Sequence, residues 1–136
     1  MKILIIDDEK SVSDYFMQVA RTRGHADIDT VSSGEEALTQ VIRKDYDLIT
    51  LDLQMPGVSG LEIIAMLRNM CPHAVISVIS GYLPNEISDE VAGCVDVLIE
   101  KPVSVATFSQ LLEAAEQICE AMDRIRLLGR APTAVR

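Results

Sequence analysis

Near the middle of the chain the sequence reads Leu48-Ile49-Thr50-Leu51-Asp52-Leu53-Gln54-Met55-Pro56-Gly57. A short apolar run ends there in one acidic residue, and a Met-Pro-Gly turn follows. Such a run, bounded by turn residues, is typical of a fully buried strand. Because burying an ionised carboxylate is costly, we expect Asp52 to lie at the mouth of a sheet, where open α/β sheets bind ligands.

The composition predicts a globular protein of one domain with an aliphatic core. The chain has 136 residues, of which 49% are hydrophobic, 24% charged and only 4% aromatic, and it contains no Trp. That is enough apolar material for a proper core and too much for a disordered chain. The net charge of -9 argues against direct contact with nucleic acid, because phosphate backbones repel an acidic surface.

The charge is unevenly distributed along the chain. Residues 123–136 contain four arginines and one aspartate, a local charge of +3, so residues 1–122 carry -12. We therefore divide the chain into one domain over 1–122 and a basic helix end with a linker-like tail over 123–136. No apolar run approaches the length of a membrane span, and the run at 3–6 is too short for a signal peptide. We expect a cytoplasmic protein with no membrane partner.

Strand and helix patterns alternate five times. The apolar runs predict strands over 2–6, 26–31, 47–51, 74–79 and 95–99, and the periodic segments between them predict helices over 11–24, 33–42, 59–71, 85–92 and 104–128. Strict alternation of this kind predicts an α/β fold, a doubly wound five-stranded parallel sheet with helices on both faces.

Capping residues give the expected helix ends. Ser11 is a candidate N-cap of the first helix, and Gly24 is its candidate C-cap. Ser33 and Glu36 have the spacing of a capping box at the second helix, which is expected to run through Ile42. The helix pattern over 85–92 is weak.

The last predicted helix has an apolar seam that is longer than one domain needs. Its members are spaced by three and four residues and are Phe108, Leu111, Ala115, Ile118, Met122 and Ile125. We expect residues 108–118 to pack on the sheet of their own domain. Beyond the edge of that sheet, Met122, Ile125 and Leu128 would lack a covering surface, which predicts a homodimer seam or contact with an output domain.

Four predicted strands end in polar residues, namely Asp7-Asp8, Asp52, Ser80 and Lys101. Parallel strands bring these ends to one edge, where carboxylates 4 Å apart repel by about 4 kcal/mol per pair at an effective dielectric constant of about 20. Such a cluster needs a cation, and oxygen ligands without His or Cys favour Mg²⁺ over zinc. Lys101 suits a phosphoryl oxygen, Ser80 offers a hydroxyl donor, and Asp52 could attack a phosphoryl group.

These residues, together with Met55-Pro56-Gly57 and Gly60, resemble the receiver domain of response regulators in two-component signalling, the CheY-like family. The resemblance covers roughly residues 2–122 and implies the flavodoxin-like receiver fold. It implies a signalling module that accepts a phosphoryl group on Asp52 from a sensor histidine kinase or a histidine phosphotransfer protein. Beyond self-phosphorylation and self-dephosphorylation, no enzyme activity is expected.

The resemblance also implies individual roles for residues at the site. Asp7, Asp8, Asp52 and the backbone carbonyl of Gln54 would hold Mg²⁺. Ser80 would be the switch hydroxyl, and Lys101 would pair with the phosphate. The bond from Lys101 to Pro102 is usually cis in this family. The kinase-facing surface is expected near the loops at 7–8 and 52–57 and along the first helix.

Two positions depart from the family's usual pattern. Leu98 stands where the family usually has an aromatic switch residue, so we expect weaker coupling from Asp52 to the face made by the fourth helix, fifth strand and fifth helix. Tyr82 follows Ser80 by two residues, and in this family the residues matching Gln54 and Tyr82 tune how water reaches the phosphoryl group.

Two other functions are alternatives to this one. A haloacid-dehalogenase-type Mg²⁺-dependent phosphatase also uses an Asp at a strand end. It requires a second Asp two residues later, where this chain has Gln54. A flavodoxin-like nucleotide-binding module requires a first loop rich in Gly, Ser or Thr, and Asp7-Asp8-Glu9 would repel phosphate there. Taken singly, the acidic pair reads as a helix-capping turn and Lys101 as a surface charge.

Overall fold

The computed structural model describes residues 1–57, 59–130 and 132–133, and it shows one five-stranded parallel sheet in the order β2-β1-β3-β4-β5. The strands are β1 (Ile3–Ile6), β2 (Ile28–Val31), β3 (Leu48–Leu51), β4 (Val75–Ser80) and β5 (Val97–Glu100). The helices are α1 (Lys10–Thr22), α2 (Gly34–Arg43), α3 (Gly60–Met70), α4 (Asp89–Ala92) and α5 (Val105–Arg126). The predicted doubly wound α/β fold is confirmed. Part of the predicted tail, including Arg136, lies outside the described residues.

The sheet is buried on both faces because alternate side chains of its central strands feed two apolar clusters. One cluster contains Leu4 and Ile49 and packs with residues of α2 and α3. The other contains Ile3 and Leu48 and packs with residues of α1 and α5. Fully buried parallel strands of this kind read in the sequence as continuous apolar runs rather than as alternating ones.

The helix ends agree with the sequence in part. Ser33 is the N-cap of α2, and its Oγ accepts from the Glu36 N–H at 3.2 Å. The Glu36 carboxylate accepts from the Ser32 N–H rather than from that of Ser33, so the capping box is shifted by one residue on one side. The expectation for Ser11 was wrong, because α1 begins at Lys10 with Glu9 as its N-cap.

The second helix runs through Ile42, as expected, and Ile42 is 73% exposed because it lies about 100° further round α2 than the buried Val41. One expectation about helix extent was wrong. The fourth helix spans only Asp89–Ala92, since Ser88 caps its start and Gly93 follows its end. None of the described helices is both long enough and apolar enough to cross a bilayer.

Candidate functional site

The ends of β1 and β3 place two carboxylates side by side at the carboxyl edge of the sheet. These strands are neighbours, with Ile6 opposite Leu51, so the next residue of each is Asp7 and Asp52. Backbone bonds continue past the strands, and the Asp52 N–H donates to the Ile6 carbonyl at 3.0 Å. Both aspartates are 3% exposed, whereas Asp8 is exposed. One carboxylate oxygen from each of the three lies within 4.8 Å of those from the other two.

Lys101 reaches this cluster from the end of β5. Its Nζ lies 2.7 Å from Oδ2 of Asp7 and 3.2 Å from Oδ2 of Asp52. The Lys101 N–H donates to the Ser80 carbonyl at 2.9 Å, and the Lys101–Pro102 peptide is cis, as the resemblance implied. Burial lowers the pKa of Lys101, but its hydrogen bonds and charge contacts with Asp7 and Asp52 outweigh burial, and the pKa is raised. The ammonium therefore stays charged between the two carboxylates.

The other oxygen of Asp52 is held by β4 and by the loop after β3. Oδ1 of Asp52 accepts from the Ser80 hydroxyl at 2.9 Å and from the Gln54 N–H at 3.0 Å. Ser80 is fully buried at the end of β4, and its Oγ also lies 3.4 Å from the Tyr82 N–H. Both Asp52 oxygens are thus engaged by donors from three different segments of the chain.

Two glycines shape the loop that follows Asp52. Gly57 has φ +88°, a conformation that side-chain-bearing residues rarely adopt. Gly60 opens α3 directly beneath the site, where a Cβ would lie 3.0 Å from the Leu53 Cα and 3.2 Å from the Asp52 carbonyl oxygen. A larger residue at Gly60 would push on the backbone that carries Asp52.

The donor set fits a magnesium ion. The cluster has three carboxylates and one ammonium, so one positive charge faces three negative ones. Among the described residues, no donor side chain contacts the Asp8 carboxylate. Carboxylate oxygens are the ligands that Mg²⁺ prefers, and a divalent ion would balance the excess negative charge. The acidic cluster is therefore suited to metal binding.

The remaining predicted site residues lie at the rim or away from the cluster. Gln54 and Tyr82 are exposed, and a Cβ at Gly81 would lie 3.4 Å from the Gln54 side-chain oxygen, so that side chain reaches toward β4. Leu98 pairs with Val78 in the sheet and is 39% exposed, two positions before the end of β5. Its position leaves it outside the hydrogen-bonded site.

Sequence reasoning missed two contacts that support the site. The Glu9 N–H donates to Oδ1 of Asp7 at 2.9 Å and so orients that carboxylate. The Tyr15 hydroxyl donates to the Val103 carbonyl at 2.9 Å and ties α1 to the loop after Lys101. An Asp three positions before the start of a helix, able to accept from the N–H two residues on, could have suggested the first contact. The second joins residues 88 apart and has no local signature.

The chain matches the family model described as "Response regulator receiver domain" over residues 3–115. It is 32% identical over 121 residues to the transcriptional regulatory protein ResD of Bacillus subtilis (strain 168), covering 85% of this chain and 50% of ResD. This chain thus spans half the length of that relative. The match agrees with the receiver interpretation and not with the phosphatase or nucleotide-binding alternatives.

Two solved structures resemble the whole domain. The response regulator TrrA from Thermotoga maritima, in complex with Mg(2+)-BeF, is 33% identical, has a TM-score of 0.71, and the match covers 87% of this chain and 99% of TrrA. A response regulator from Burkholderia pseudomallei with a phosphorylated aspartic acid, calcium ion and citrate is 26% identical, with a TM-score of 0.73 and coverage of 98% and 76%. Structures of similar proteins therefore hold a divalent ion or a modified aspartate.

Proposed function

The chain belongs to the response regulator receiver domain family of two-component systems, and on this premise we propose that Asp52 is its phosphoacceptor. One observation carries the proposal. The Ser80 hydroxyl and the Lys101 ammonium, which would bind a phosphoryl group, both contact the Asp52 carboxylate directly, at 2.9 Å and 3.2 Å. A group attached to Asp52 would therefore arrive among donors that are already in place.

The chemistry follows from these contacts. A carboxylate oxygen of Asp52 attacks the phosphorus of a phosphohistidine, the P–N bond breaks, and the bonding electrons remain on the histidine nitrogen. Ser80 and Lys101 then donate to phosphoryl oxygens instead of to Asp52. Mg²⁺, held by Asp7, Asp8, Asp52 and the Gln54 carbonyl, would neutralise negative charge on the phosphoryl group.

The rim residues would set how long the modification lasts and how far it is sensed. Gln54 and Tyr82 are exposed beside the site, where their side chains can restrict the approach of water to the acyl phosphate. Leu98 has neither a ring nor a hydroxyl, so we expect weak coupling beyond it. Upon addition of a beryllium-fluoride mimic, NMR shift changes should be large around Ser80 and small beyond Leu98. Large changes throughout α5 would contradict this.

The phosphodonor would dock on α1 and the loops at the carboxyl edge. A mainly apolar hollow of about 450 Å³ lies there, between α1 and the segment 101–103, and it is lined in part by Val12, Tyr15 and Pro102. Lys101 lines the same hollow. Apolar side chains on a helix of a sensor kinase or a histidine phosphotransfer protein would fit this hollow while the phosphohistidine reaches Asp52.

The proposal extends to the organisation of the chain. Residues 1–122 would form the receiver unit, and 123–136 would lead from it as a basic helix end and linker. The C-terminal helix would be the element that contacts a second copy or an output domain. We place the domain in the cytoplasm and propose that its acidic surface makes no direct contact with nucleic acid.

The experiment that tests the proposal is phosphorylation by a small-molecule donor such as acetyl phosphate, followed by intact mass measurement. With Mg²⁺ the chain should gain one phosphoryl group, and with EDTA it should gain almost none. Asp52→Asn should abolish the gain. Asp29→Asn, the same change at another lysine-paired aspartate, should leave it intact. Equal labelling of Asp52→Asn and the parent would refute the assignment.

A further inference from the structure

Helix α1 contacts the site cluster from two directions. At the start of the helix, the Glu9 N–H donates to Oδ1 of Asp7 at 2.9 Å. Further along the helix, the Tyr15 hydroxyl donates to the Val103 carbonyl at 2.9 Å, although Tyr15 and Val103 are 88 positions apart. The same helix is therefore bonded both to Asp7 and to the segment that follows Lys101.

The segment 101–103 joins the end of β5 to the start of α5 and has few hydrogen-bonded anchors. It contains a proline, which has no N–H to donate. Among the described residues, its backbone makes two hydrogen bonds, one from the Lys101 N–H to the Ser80 carbonyl and one from the Tyr15 hydroxyl to the Val103 carbonyl. The first bond holds the segment to the sheet. Tyr15 holds its other end, which the sheet does not reach.

The position of this segment decides where the Lys101 ammonium lies. Its Nζ reaches Asp7 at 2.7 Å and Asp52 at 3.2 Å, from a side chain that is only 16% exposed. Donors stabilise a phosphoryl group best when they are in place before the reaction. A misplacement of about 1 Å can slow a reaction about 100-fold. A bond that fixes the segment 101–103 therefore bears on the rate of phosphoryl transfer.

We propose that Tyr15 is a positioning residue for phosphoryl transfer, whose hydroxyl holds the segment 101–103 so that the Lys101 ammonium stays beside Asp52. This inference rests on the proposed function of Asp52 as phosphoacceptor. Among the described residues, the Tyr15 hydroxyl has one hydrogen-bond partner, the Val103 carbonyl, so it acts through the backbone and not on the phosphoryl group. The Tyr15 ring packs separately, with its centroid 5.5 Å from that of Phe16. Tyr15→Phe therefore removes the hydrogen bond and keeps the ring.

The first test compares two variants that each lose one tyrosine hydroxyl. With acetyl phosphate and saturating Mg²⁺, intact mass spectrometry gives the initial rate at which the chain gains a phosphoryl group as acetate leaves. Tyr15→Phe should lower this rate about threefold to tenfold, because Lys101 is less well placed. Tyr46→Phe loses a hydrogen bond to Asp29 on the far side of the sheet, so it should lower stability and leave the rate unchanged.

The affinity for Mg²⁺ separates positioning from general damage to the site. The Mg²⁺ dissociation constant of Tyr15→Phe, from an NMR titration, should stay within about twofold of that of the parent, because all three carboxylates remain. A parental rate for Tyr15→Phe would overturn the proposal. Equal slowing of Tyr46→Phe, or Mg²⁺ affinity that falls in Tyr15→Phe as far as the rate does, would overturn it as well.

A double-mutant cycle tests whether Tyr15 acts through Lys101. In Lys101→Met no ammonium remains to be placed, so adding Tyr15→Phe should slow the initial rate by less than about twofold. Slowing by the full factor seen in the parent would overturn the proposal. The comparison with Tyr46→Phe needs no change at Lys101, and it decides the matter if Lys101→Met reacts too slowly to measure.

Failure of this inference can be told from failure of the proposed function. If Asp52 is not the acceptor, Asp52→Asn gains as much phosphoryl group as the parent. If Asp52 is the acceptor and Tyr15 does not position Lys101, Asp52→Asn gains none and Tyr15→Phe reacts as fast as the parent.

Discussion

Two lysine-centred carboxylate clusters lie at different places in this domain, and their compositions suit different roles. The site cluster lies at the carboxyl edge of the sheet and consists of Asp7, Asp8, Asp52 and Lys101. The Asp29 cluster joins β2 to α2 and to the loop before β3, and it consists of Asp27, Asp29, Gln40, Lys44 and Tyr46. In both clusters aspartates surround one lysine ammonium. In the site cluster, the donors among the described residues do not contact all of the carboxylates, whereas in the Asp29 cluster each aspartate has a donor.

In the Asp29 cluster, neutral hydrogen-bond donors add to the contact that Lys44 makes with Asp29. Oδ2 of Asp29 accepts from the Tyr46 hydroxyl at 2.6 Å and from Lys44 at 2.9 Å, and Gln40 donates to Tyr46 at 2.8 Å. The hydrogen bond from Tyr46, followed by that from Lys44, holds the pKa of Asp29 below its usual value. The site cluster has three carboxylates for one lysine and two of them are buried, so it remains short of positive charge. A saturated cluster stabilises the fold, and an unsaturated one is suited to binding a cation.

The largest contrast is expected on removing each lysine. Lys101→Met leaves two buried carboxylates without their cation, and the free energy of unfolding should fall by about 3 kcal/mol in metal-free buffer. Lys44→Met should lower the free energy of unfolding by about 1 kcal/mol or less, because Asp27 and Asp29 are partly exposed and Tyr46 still donates a hydrogen bond to Asp29. Urea unfolding with EDTA measures both. Equal losses would show that the two clusters do not differ as described.

Within the Asp29 cluster, the two aspartates should behave differently. Asp29→Ala removes the acceptor of the buried Tyr46 hydroxyl, and the loss should be about 2 kcal/mol. Asp27 contacts the same lysine, but nearly half of its side chain is exposed, so Asp27→Ala should cost less than about 1 kcal/mol. The comparison is made by the same urea titrations, and a larger loss for Asp27→Ala would contradict this account of the cluster.

In the site cluster, removing a carboxylate should raise the free energy of unfolding instead of lowering it. Asp8→Asn relieves repulsion with Asp7 and Asp52, so the chain should become more stable by about 1 kcal/mol without metal. The same variant should gain less thermal stability from added Mg²⁺ than the parent does, since one ligand is lost. Differential scanning calorimetry with and without Mg²⁺ provides both values. A destabilised Asp8→Asn in EDTA would show that the cluster is already balanced.

A further expected effect is a pH dependence at Tyr46. Burial, and then its hydrogen bond to Asp29, raise the pKa of Tyr46 from an ordinary value of 10.0 to about 12. The unfolded chain therefore ionises first, and the contribution of Tyr46 to stability is complete below pH 10 and is lost as the pH rises toward 12. Tyr46→Phe should lack this alkaline loss. Unfolding midpoints of the two proteins should converge over that interval, and a constant difference would refute the assignment.

The site cluster could be predicted from sequence, whereas the Asp29 cluster could not. Asp7, Asp52 and Lys101 each follow an apolar run, and parallel strands must bring such ends together. The Asp29 cluster depends on long-range contacts, since Tyr46 reaches a residue 17 positions away across the sheet. No strand end or motif marks it. Its members looked like ordinary polar residues of a strand, a helix end and a loop.

The extent of the fourth helix was the main error in the predicted elements, and it has a physical cause. A helix over 85–92 was expected from a weak pattern, with Gly93 as its stop. The glycine does follow the helix, but the cap at Ser88 leaves room for only one turn. The boundary proposed after residue 122 rests on the change of charge at that point and stays a prediction.

The central claim, that Asp52 of the site cluster accepts the phosphoryl group, is tested most directly by locating the modification. After treatment with a small phosphodonor and Mg²⁺, borohydride reduces an aspartyl phosphate to homoserine, and peptide mass spectrometry identifies the residue changed. The account predicts homoserine at position 52 alone, with Asp7, Asp8 and Asp29 unaltered. Homoserine at one of those aspartates, or none at position 52 despite Mg²⁺-dependent phosphoryl gain, would contradict it.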